Sequence, residues 1–438
     1  MATYYHSVRL LQEKCKGCTN CIKRCPTEAI RVRQGKAVII EERCVDCGEC
    51  IRVCPNHAKV AVADDLSILS RFKINVALPA PAFFGQFGPD VDVSKVLGAL
   101  LELGFDEVVE VAAAADMVSD AVTEYLNRER HPRPAISSAC PAVVRLMQVR
   151  FPSLLEHIVP IEPPMETAAK LARKTFGADG VGVHFITPCP AKITAIKQPV
   201  SYQAPLLDGA IPFSLAYGEV LKRLPGARSV ASHATGRGIG WGRSGGEGLA
   251  IRGHSVLWVD GIHNVIALLE EVERGRLQGV DYIEAQACVS GCVGGCLSVQ
   301  NPFVANAWLR RVAKRAMEAQ PWVPQEQVMR MLDQGFFTMS VKITPRPVMK
   351  LDQDIKAALE KVNRMEQVVK ELPGLDCGAC GSPNCKALAE DIVQGRATEL
   401  DCIFKLRERV QNLAEAMVEV ARQLPPPVAS SGEKVGKT

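Results

Sequence analysis

Apolar and polar positions change their period along the chain, and each change marks a different kind of structure. Between residues 66 and 345, short apolar runs alternate with segments of helical period. The runs are Ile74-Asn75-Val76-Ala77-Leu78, Glu107-Val108-Val109-Glu110-Val111, Val181-Gly182-Val183-His184-Phe185-Ile186, Ser255-Val256-Leu257-Trp258-Val259 and Tyr282-Ile283-Glu284-Ala285. Helices are predicted over 94–103, 116–128, 190–198 and 262–275. Strands alternating with helices predict an α/β domain with a largely parallel sheet, whose ligands sit beyond the carboxyl ends of the strands. Ahead of it, residues 8–62 hold only short apolar pieces such as Ala37-Val38-Ile39-Ile40. Behind it, 346–375 predicts a linker and a helix with apolar positions Ile355, Leu359, Val362 and Val369. A last helix carries Leu406, Val410, Leu413, Met417 and Val420, spaced as an a/d seam. That seam suits either a homodimer or packing on the chain's own domain. The proline-rich, then Ser-, Gly- and Lys-containing stretch 425–438 is expected to be disordered.

Cysteine changes this picture most. There are 17 in 438 residues: eight in 15–54, five in 140–296 and four in 377–402. The N-terminus lacks an apolar signal region and no run of about 18 apolar residues occurs, which predicts a cytoplasmic location. There, cysteines serve as metal ligands or catalytic groups rather than disulfides. Apolar content of 47% supports a large core, and a net charge of +4 gives no reason to expect nucleic acid.

The unit Cys15-x2-Cys18-x2-Cys21-x3-Cys25-Pro26 recurs as Cys44-x2-Cys47-x2-Cys50-x3-Cys54-Pro55. In this bacterial ferredoxin spacing, each fourth cysteine ligates the other cluster. One 4Fe-4S cluster is thus assigned to Cys15, Cys18, Cys21 and Cys54, the second to Cys44, Cys47, Cys50 and Cys25. Two clusters in series make an electron wire and by themselves show no catalysis. Near the C-terminus, Cys377, Cys380, Cys385 and Cys402 stand among Gly378, Gly381 and Pro383. Zinc competes for such spacing; the thiolates and glycines favour a third 4Fe-4S site. In the middle, Cys140, Cys189 and Cys288 each follow a strand or lie in a loop. With Cys292 they could converge on one cluster at the sheet edge. Gly291, Gly294 and Gly295 among Cys288, Cys292 and Cys296 allow main chain to approach a bulky ligand. The run Gly240-Trp241-Gly242-Arg243-Ser244-Gly245 matches a dinucleotide fingerprint but lacks the strand that should precede it. A glycine-lined wall of the same pocket is the better reading.

The three central loops resemble the signatures of FeFe-hydrogenases. The family's Thr-Ser-Cys-Cys-Pro corresponds to Ser137-Ser138-Ala139-Cys140-Pro141. Met-Pro-Cys-x-x-Lys-x-x-Glu corresponds to residues 187–195, Thr-Pro-Cys-Pro-Ala-Lys-Ile-Thr-Ala. Glu-x-Met-x-Cys-x-x-Gly-Cys-x-x-Gly-Gly corresponds to residues 284–295 (not every position alike). Ala80-Pro81-Ala82 and Ser244-Gly245-Gly246 also resemble segments lining the family's cluster pocket. The resemblance implies an FeFe-hydrogenase-like α/β catalytic domain with mostly parallel sheets over 66–345. An α+β two-cluster ferredoxin domain would occupy 1–65. A linker helix and a small helical iron-sulfur domain would occupy 346–404, followed by an amphipathic helix over 405–424. It further implies an H-cluster, a 4Fe-4S cubane joined to a diiron subcluster with CO, cyanide and azadithiolate. Cys140, Cys189, Cys288 and Cys292 would hold the cubane, and Cys292 would bridge to the diiron part. Lys192 would hydrogen-bond a cyanide, with Pro81 and Ala82 nearby. The implied reaction is reversible H2 oxidation and proton reduction.

The departures from the family concern protons. Heterolytic H2 chemistry needs a proton carrier within hydrogen-bond reach. The family's cysteine at that position is Ala139 here, its signature-two glutamate is Ala195, and two acidic positions are Ala121 and Val122. Thr187 and Gln286 replace methionines that pack on the diiron site. Slow turnover and a detecting role are expected unless Glu247, Asp120 or water carries the proton. The C-terminal cysteines and helix resemble those of sensory members. Ser244 and Gln286 remain candidate catalytic positions. Cys296, where the family has glycine, reads as a relay or redox thiol or as an inert pocket residue. Implied partners are H2 and protons, a ferredoxin-type redox protein, hydrogenase maturation proteins and a second copy of the chain. The alternative reading is a hydrogenase-like assembly or electron-transfer protein without the diiron subsite.

Overall fold

Strands buried on both faces organise the central region. In the computed structural model, which describes residues 4–128 and 131–423, Val181–Thr187 is buried throughout and Ile74–Pro79 at all but its first residue. Continuous burial, rather than alternation, is what a central parallel strand requires. These two pair in parallel from Ile74 opposite Val181 to Pro79 opposite Ile186. Glu107–Val108 and Gly209–Pro212 extend the sheet on either side, also in parallel. A second parallel sheet orders Val256–Asp260, Tyr282–Gln286 and Ala135–Ile136. Two antiparallel pairs serve the N-terminal region, Val8–Leu10 with Lys59–Ala61 and Ile30–Arg33 with Lys36–Ile39. The fold is thus α/β in class: two mainly parallel sheets with helices, a small antiparallel cysteine-rich front and a helical C-terminal portion.

The expected strand over 107–111 stops at Val108, and the next helix runs Val111–Arg128 rather than starting at 116. Alanines 112–115 are strong helix formers and carry the helix back to Val111. Glu110 turns inward instead of continuing the strand, accepting from Ser232 Oγ and the His233 N–H.

The chain divides into two compact units, Met1–Met349 and Lys350–Thr438. Within the first, one carboxylate bolts the cysteine-rich front to the central α/β region. Asp46 Oδ1 accepts from the backbone N–H groups of Ser7 (3.0 Å) and Val8 (3.2 Å). Its Oδ2 accepts from Thr194 Oγ1 at 3.0 Å and from Arg145 Nη1 at 3.4 Å. Asp46 and Arg145 are both 1% exposed, so each depends on the other for compensation. Asp46→Asn is expected to lower unfolding stability by ~2 kcal/mol, because Arg145 loses its buried counter-charge. Denaturant titration of the reconstituted protein measures this, and an unchanged midpoint would contradict it.

In the second unit, helix Ile355–Glu371 buries only part of its predicted stripe: Val369 packs against the C-terminal core and Val362 is half-buried. Ile355 and Leu359 are exposed, and Val368 with Leu372 packs instead against Leu388, Ala389 and Cys402. Only the end of that helix meets the cysteine-rich fold. The last helix, Ile403–Gln423, buries no residue among those described, and Leu406, Val410, Leu413, Met417 and Val420 all stand exposed. Packing of the seam on its own domain is therefore not found among the described residues. The tail expected over 425–438 lies outside them. No helix among the described residues is long and apolar enough to cross a membrane.

Candidate active site and cluster sites

Helix starts and strand ends deliver the four central cysteines. Cys140 and Cys189 each precede a proline that opens a helix, Pro141–Arg150 and Pro190–Lys197. Proline at the first helical position loses no needed N–H and presets φ. Each Cys-Pro pair thereby fixes where the helix begins and sets its positive end at the cysteine, which favours an anionic group there. Cys288 lies just beyond strand Tyr282–Gln286, and Cys292 opens the single turn Cys292–Gly294. All four line one cavity, with Lys192 in its wall. Pro81, Ala139, Thr187, Trp241, Gly242 and Gln286 complete much of the rest.

Two expected wall residues stand behind it. A Cβ built on Gly242 would lie 2.6 Å from the Ala82 nitrogen, so Ala82 backs the glycine wall. Ser244 contributes backbone: its N–H donates to Ser290 O at 3.0 Å, bracing the cysteine loop. Its expected place at the reacting centre is thus corrected to a supporting one. Gln286 does face the cavity, and its buried Oε1 has no hydrogen-bond partner.

The donor set fits a metal cluster. Burial pushes the Cys189 and Cys288 thiols up, and that of Cys292 to about 12. The neighbouring sulfurs add in the same direction. Crowded sulfurs that burial and their neighbours hold back from ionising, as at Cys189, Cys288 and Cys292, are a poor arrangement for free thiols. A bound metal reverses the balance by taking thiolates and releasing their protons.

The ferredoxin cysteines separate into two groups of four. Cys15, Cys18, Cys21 and Cys54 surround one cavity; Cys25, Cys44, Cys47 and Cys50 surround another. Backbone N–H groups aim at sulfurs, Ala37 at Cys15 (3.4 Å), Ala29 at Cys25 (3.2 Å) and Ala58 at Cys54 (3.3 Å). Such bonds suit cluster-bound sulfur. Cys47 also lines the large cavity, so the second group and the central four share a wall. Nothing in the ferredoxin spacing announced that shared role.

Cys296 lies at this junction rather than in the cavity wall. A Cβ on Gly48 would come within 2.4 Å of its Sγ. Beside it, Arg52 donates to Gly294 O and to Glu49 Oε2, both at 2.7 Å. In the C-terminal unit, Cys380 feels the charges of Cys377 and Cys402 and packs with Cys385 in one cluster.

Proton-bearing groups surround Ala139. Its N–H donates to Ser137 Oγ at 3.1 Å, and Ser137 Oγ donates to Glu247 Oε1 at 2.7 Å. Tyr282 Oη donates to the same oxygen. Burial lifts Glu247 to about 7, these donors pulling the other way. Glu284, accepting from Gly245 N–H and Gly248 N–H, is lifted to about 8 by burial and by Glu247. Asp120 is engaged elsewhere, 2.8 Å from Arg237 Nη2. Ala121 and Val122 are buried apolar residues of the helix interior. Ala195 borders a second cavity together with Lys192 and Glu166. Glu166 and nearby Glu162 belong to no motif, so the sequence offered no signal for them.

Comparison with known proteins places these features in context. A family model for the C-terminal domain of the iron-only hydrogenase large subunit matches residues 73–227. A 4Fe-4S dicluster model matches 7–55, and a model for a putative Fe-S cluster matches 372–404. The periplasmic Fe hydrogenase large subunit of Nitratidesulfovibrio vulgaris is 32% identical over 213 residues, 43% of this chain and 50% of that one. Iron hydrogenase 1 of Clostridium pasteurianum is 26% identical over 264 residues, 48% of this chain and 46% of its own length. The chain therefore matches about half the length of these curated relatives. A variant FeFe-hydrogenase from Chlamydomonas reinhardtii aligns over 65% of this chain and 98% of its own, at 18% identity and a TM-score of 0.49.

Proposed function

We infer that this chain, an FeFe-hydrogenase-like protein with iron-sulfur domains at both ends, holds an H-cluster and interconverts H2 with protons and electrons. The observation that carries this reading is the ring of Cys140, Cys189, Cys288 and Cys292 around one largely apolar cavity with Lys192 in its wall. In this reading those four cysteines would hold the cubane, and Cys292 would be the residue shared with a diiron subcluster carrying CO, cyanide and azadithiolate. Lys192 donates to an anionic ligand in a water-poor space, where a charge-assisted bond is strong. When bound, the H-cluster supplies the open iron site at which H2 is made or split. Pro81, Trp241 and Gly242 exclude water around it.

Electrons travel through two 4Fe-4S clusters, one on Cys15, Cys18, Cys21 and Cys54, the other on Cys44, Cys47, Cys50 and Cys25. The shared Cys47 wall supports the last step of that wire. A further 4Fe-4S cluster sits on Cys377, Cys380, Cys385 and Cys402. The partners are a ferredoxin-type redox protein and hydrogenase maturation proteins in the cytoplasm, and the exposed terminal seam supports a homodimer. Ala139 cannot carry a proton, so turnover is slow and suits hydrogen sensing.

Gln286, polar and unpartnered where the family packs a methionine, favours the second reading: an assembly or electron-transfer protein without the diiron subsite. Infrared spectra of protein matured with the diiron cofactor decide between them. CO and cyanide bands of protein-bound cofactor are expected. Their absence, with 4Fe-4S absorbance intact, selects the second reading.

A further inference from the structure

We propose that Glu166 and Glu162 form a proton relay between the protein surface and the Lys192 side of the large cavity. The relay deepens the hydrogenase reading and rests on it. It would stand in for the cysteine and carboxylates replaced here by Ala139, Ala195, Ala121 and Val122.

The two carboxyls are buried where neither sequence motif nor packing demands an acid. Glu166 lies in the first turn of helix Pro164–Phe176 and is 8% exposed; Glu162, just ahead of that helix, is 0% exposed. Burying a carboxyl is costly unless it is paired or holds its proton. Glu162 Oε2 forms an ion pair with Lys170 Nζ at 2.6 Å, while Glu162 Oε1 and Glu166 Oε2 are buried with no hydrogen-bond partner. Glu166 lines a second cavity together with Ser138, Lys192, Ala195 and Ser201. That cavity has room for a water molecule and polar groups to hold one. Lys192 borders this cavity and the large one alike, so one side chain separates Glu166 from the cysteine-lined space.

The outer end reaches solvent. The Lys170 side chain is 25% exposed and also donates to Phe336 O at 2.8 Å. Tyr202 faces Glu162 and Glu166 from the other side. The charged and titratable groups around the pair are therefore Lys170, Lys192 and Tyr202. Burial outweighs the two lysines, raising Glu166 above the usual carboxylate range and Glu162 to about 7. Carboxyls that titrate near neutrality can both take and give a proton.

Each step makes one O–H bond and breaks one. A proton from solvent binds Glu162 on one oxygen and passes to Glu166. From Glu166 it passes to a water in the second cavity, beside Lys192. Both carboxyls then return to their starting charge, and the reverse order empties the site. Glu247, on the Ala139 side, differs: Ser137 and Tyr282 both donate to its single Oε1.

The test uses full-length protein matured with the diiron cofactor. Glu166→Gln is expected to cut H2 turnover ~10-fold or more with CO and cyanide bands unshifted, as loss of a proton-transfer group does. Glu166→Asp should recover part of the loss, and Glu247→Gln should lose less than Glu166→Gln. Acid-minus-base infrared spectra of protein lacking the diiron cofactor give an independent readout. A carboxylic-acid band titrating above the ordinary glutamate range should vanish in Glu166→Gln. Full turnover in Glu166→Gln, or a Glu166 band that titrates like a surface glutamate, overturns the relay. Failure of the hydrogenase reading looks different: wild-type protein then shows no CO or cyanide bands, and the carboxyl band alone decides whether Glu166 exchanges protons.

Discussion

Ala139→Cys is expected to raise H2 turnover ~10²–10⁴-fold, the usual worth of a positioned proton carrier. Ala139 lines the cavity directly before Cys140, and a methyl group there can neither give nor take a proton. A thiol at the same Cβ would face the same space without moving the backbone, because the Ala139 N–H is already tied to Ser137 Oγ. Behind it stands Glu247, lifted to about 7, which accepts from Ser137, the residue that also accepts from the Ala139 N–H, so a proton-bearing carboxyl lies close to the new thiol. The measurement is H2 evolution from a chemically reduced dye, alongside iron content and infrared bands to show that the thiol has not captured metal. Unchanged turnover with a normal cofactor would mean that proton delivery at this position does not limit the rate. The slow-turnover reading would then need another cause, such as the electron wire.

Which parts of this site were legible in the sequence follows from how locally each part is encoded. The two ferredoxin groups were assigned by spacing, and the same groups of four surround separate cavities, because ligands three residues apart must share a turn. Cys140, Cys189 and Cys288 were readable for a different reason. Cys140 and Cys288 follow neighbouring parallel strands of one sheet and so end on the same side, while Cys189 follows Val181–Thr187 of the other sheet and meets them at the cavity. The boundary of helix Val111–Arg128 was misjudged because its opening alanines are apolar without periodicity, and only Glu110 turning inward reveals where the strand stops. Asp46 and Glu166 were invisible for a deeper reason. Each owes its role to partners distant in sequence, Asp46 to Thr194 and Arg145, Glu166 to Lys192. An isolated acid in a chain with 48 of them carries no mark of burial. The exposed seam on Ile403–Gln423 was read correctly as a stripe, yet periodicity alone does not say what covers a stripe.

Gly291→Ala is expected to remove the cubane from the large cavity and to cost the first unit about 3 kcal/mol. Gly291 sits between Cys288 and Cys292 with φ 84° and ψ −157°, a region open essentially to glycine alone. Ser290 before it also has positive φ, so two consecutive residues turn the loop back on itself. Space adds to the strain. An alanine Cβ would lie 2.3 Å from Gln286 Oε1, 2.4 Å from the Ser244 nitrogen and 2.6 Å from the Arg243 carbonyl carbon. The glutamine could swing away, but the backbone of residues 243–244 is pinned by the Ser244–Ser290 hydrogen bond. Relief must therefore come from the loop itself, and moving it separates Cys288 from Cys292. Gly261→Ala is the control. Its φ is 82°, but the nearest atom to its added Cβ is the Asn264 Nδ2 at 3.3 Å, the far end of a side chain. Both variants carry backbone strain, while only Gly291→Ala collides with main chain. Iron per chain and the infrared bands should fall in Gly291→Ala, with both ferredoxin clusters still visible by electron paramagnetic resonance, and should hold in Gly261→Ala. Normal iron loading in Gly291→Ala would show that this glycine does not set the separation of Cys288 and Cys292, and that the loop bends at Gly294 or Gly295 instead.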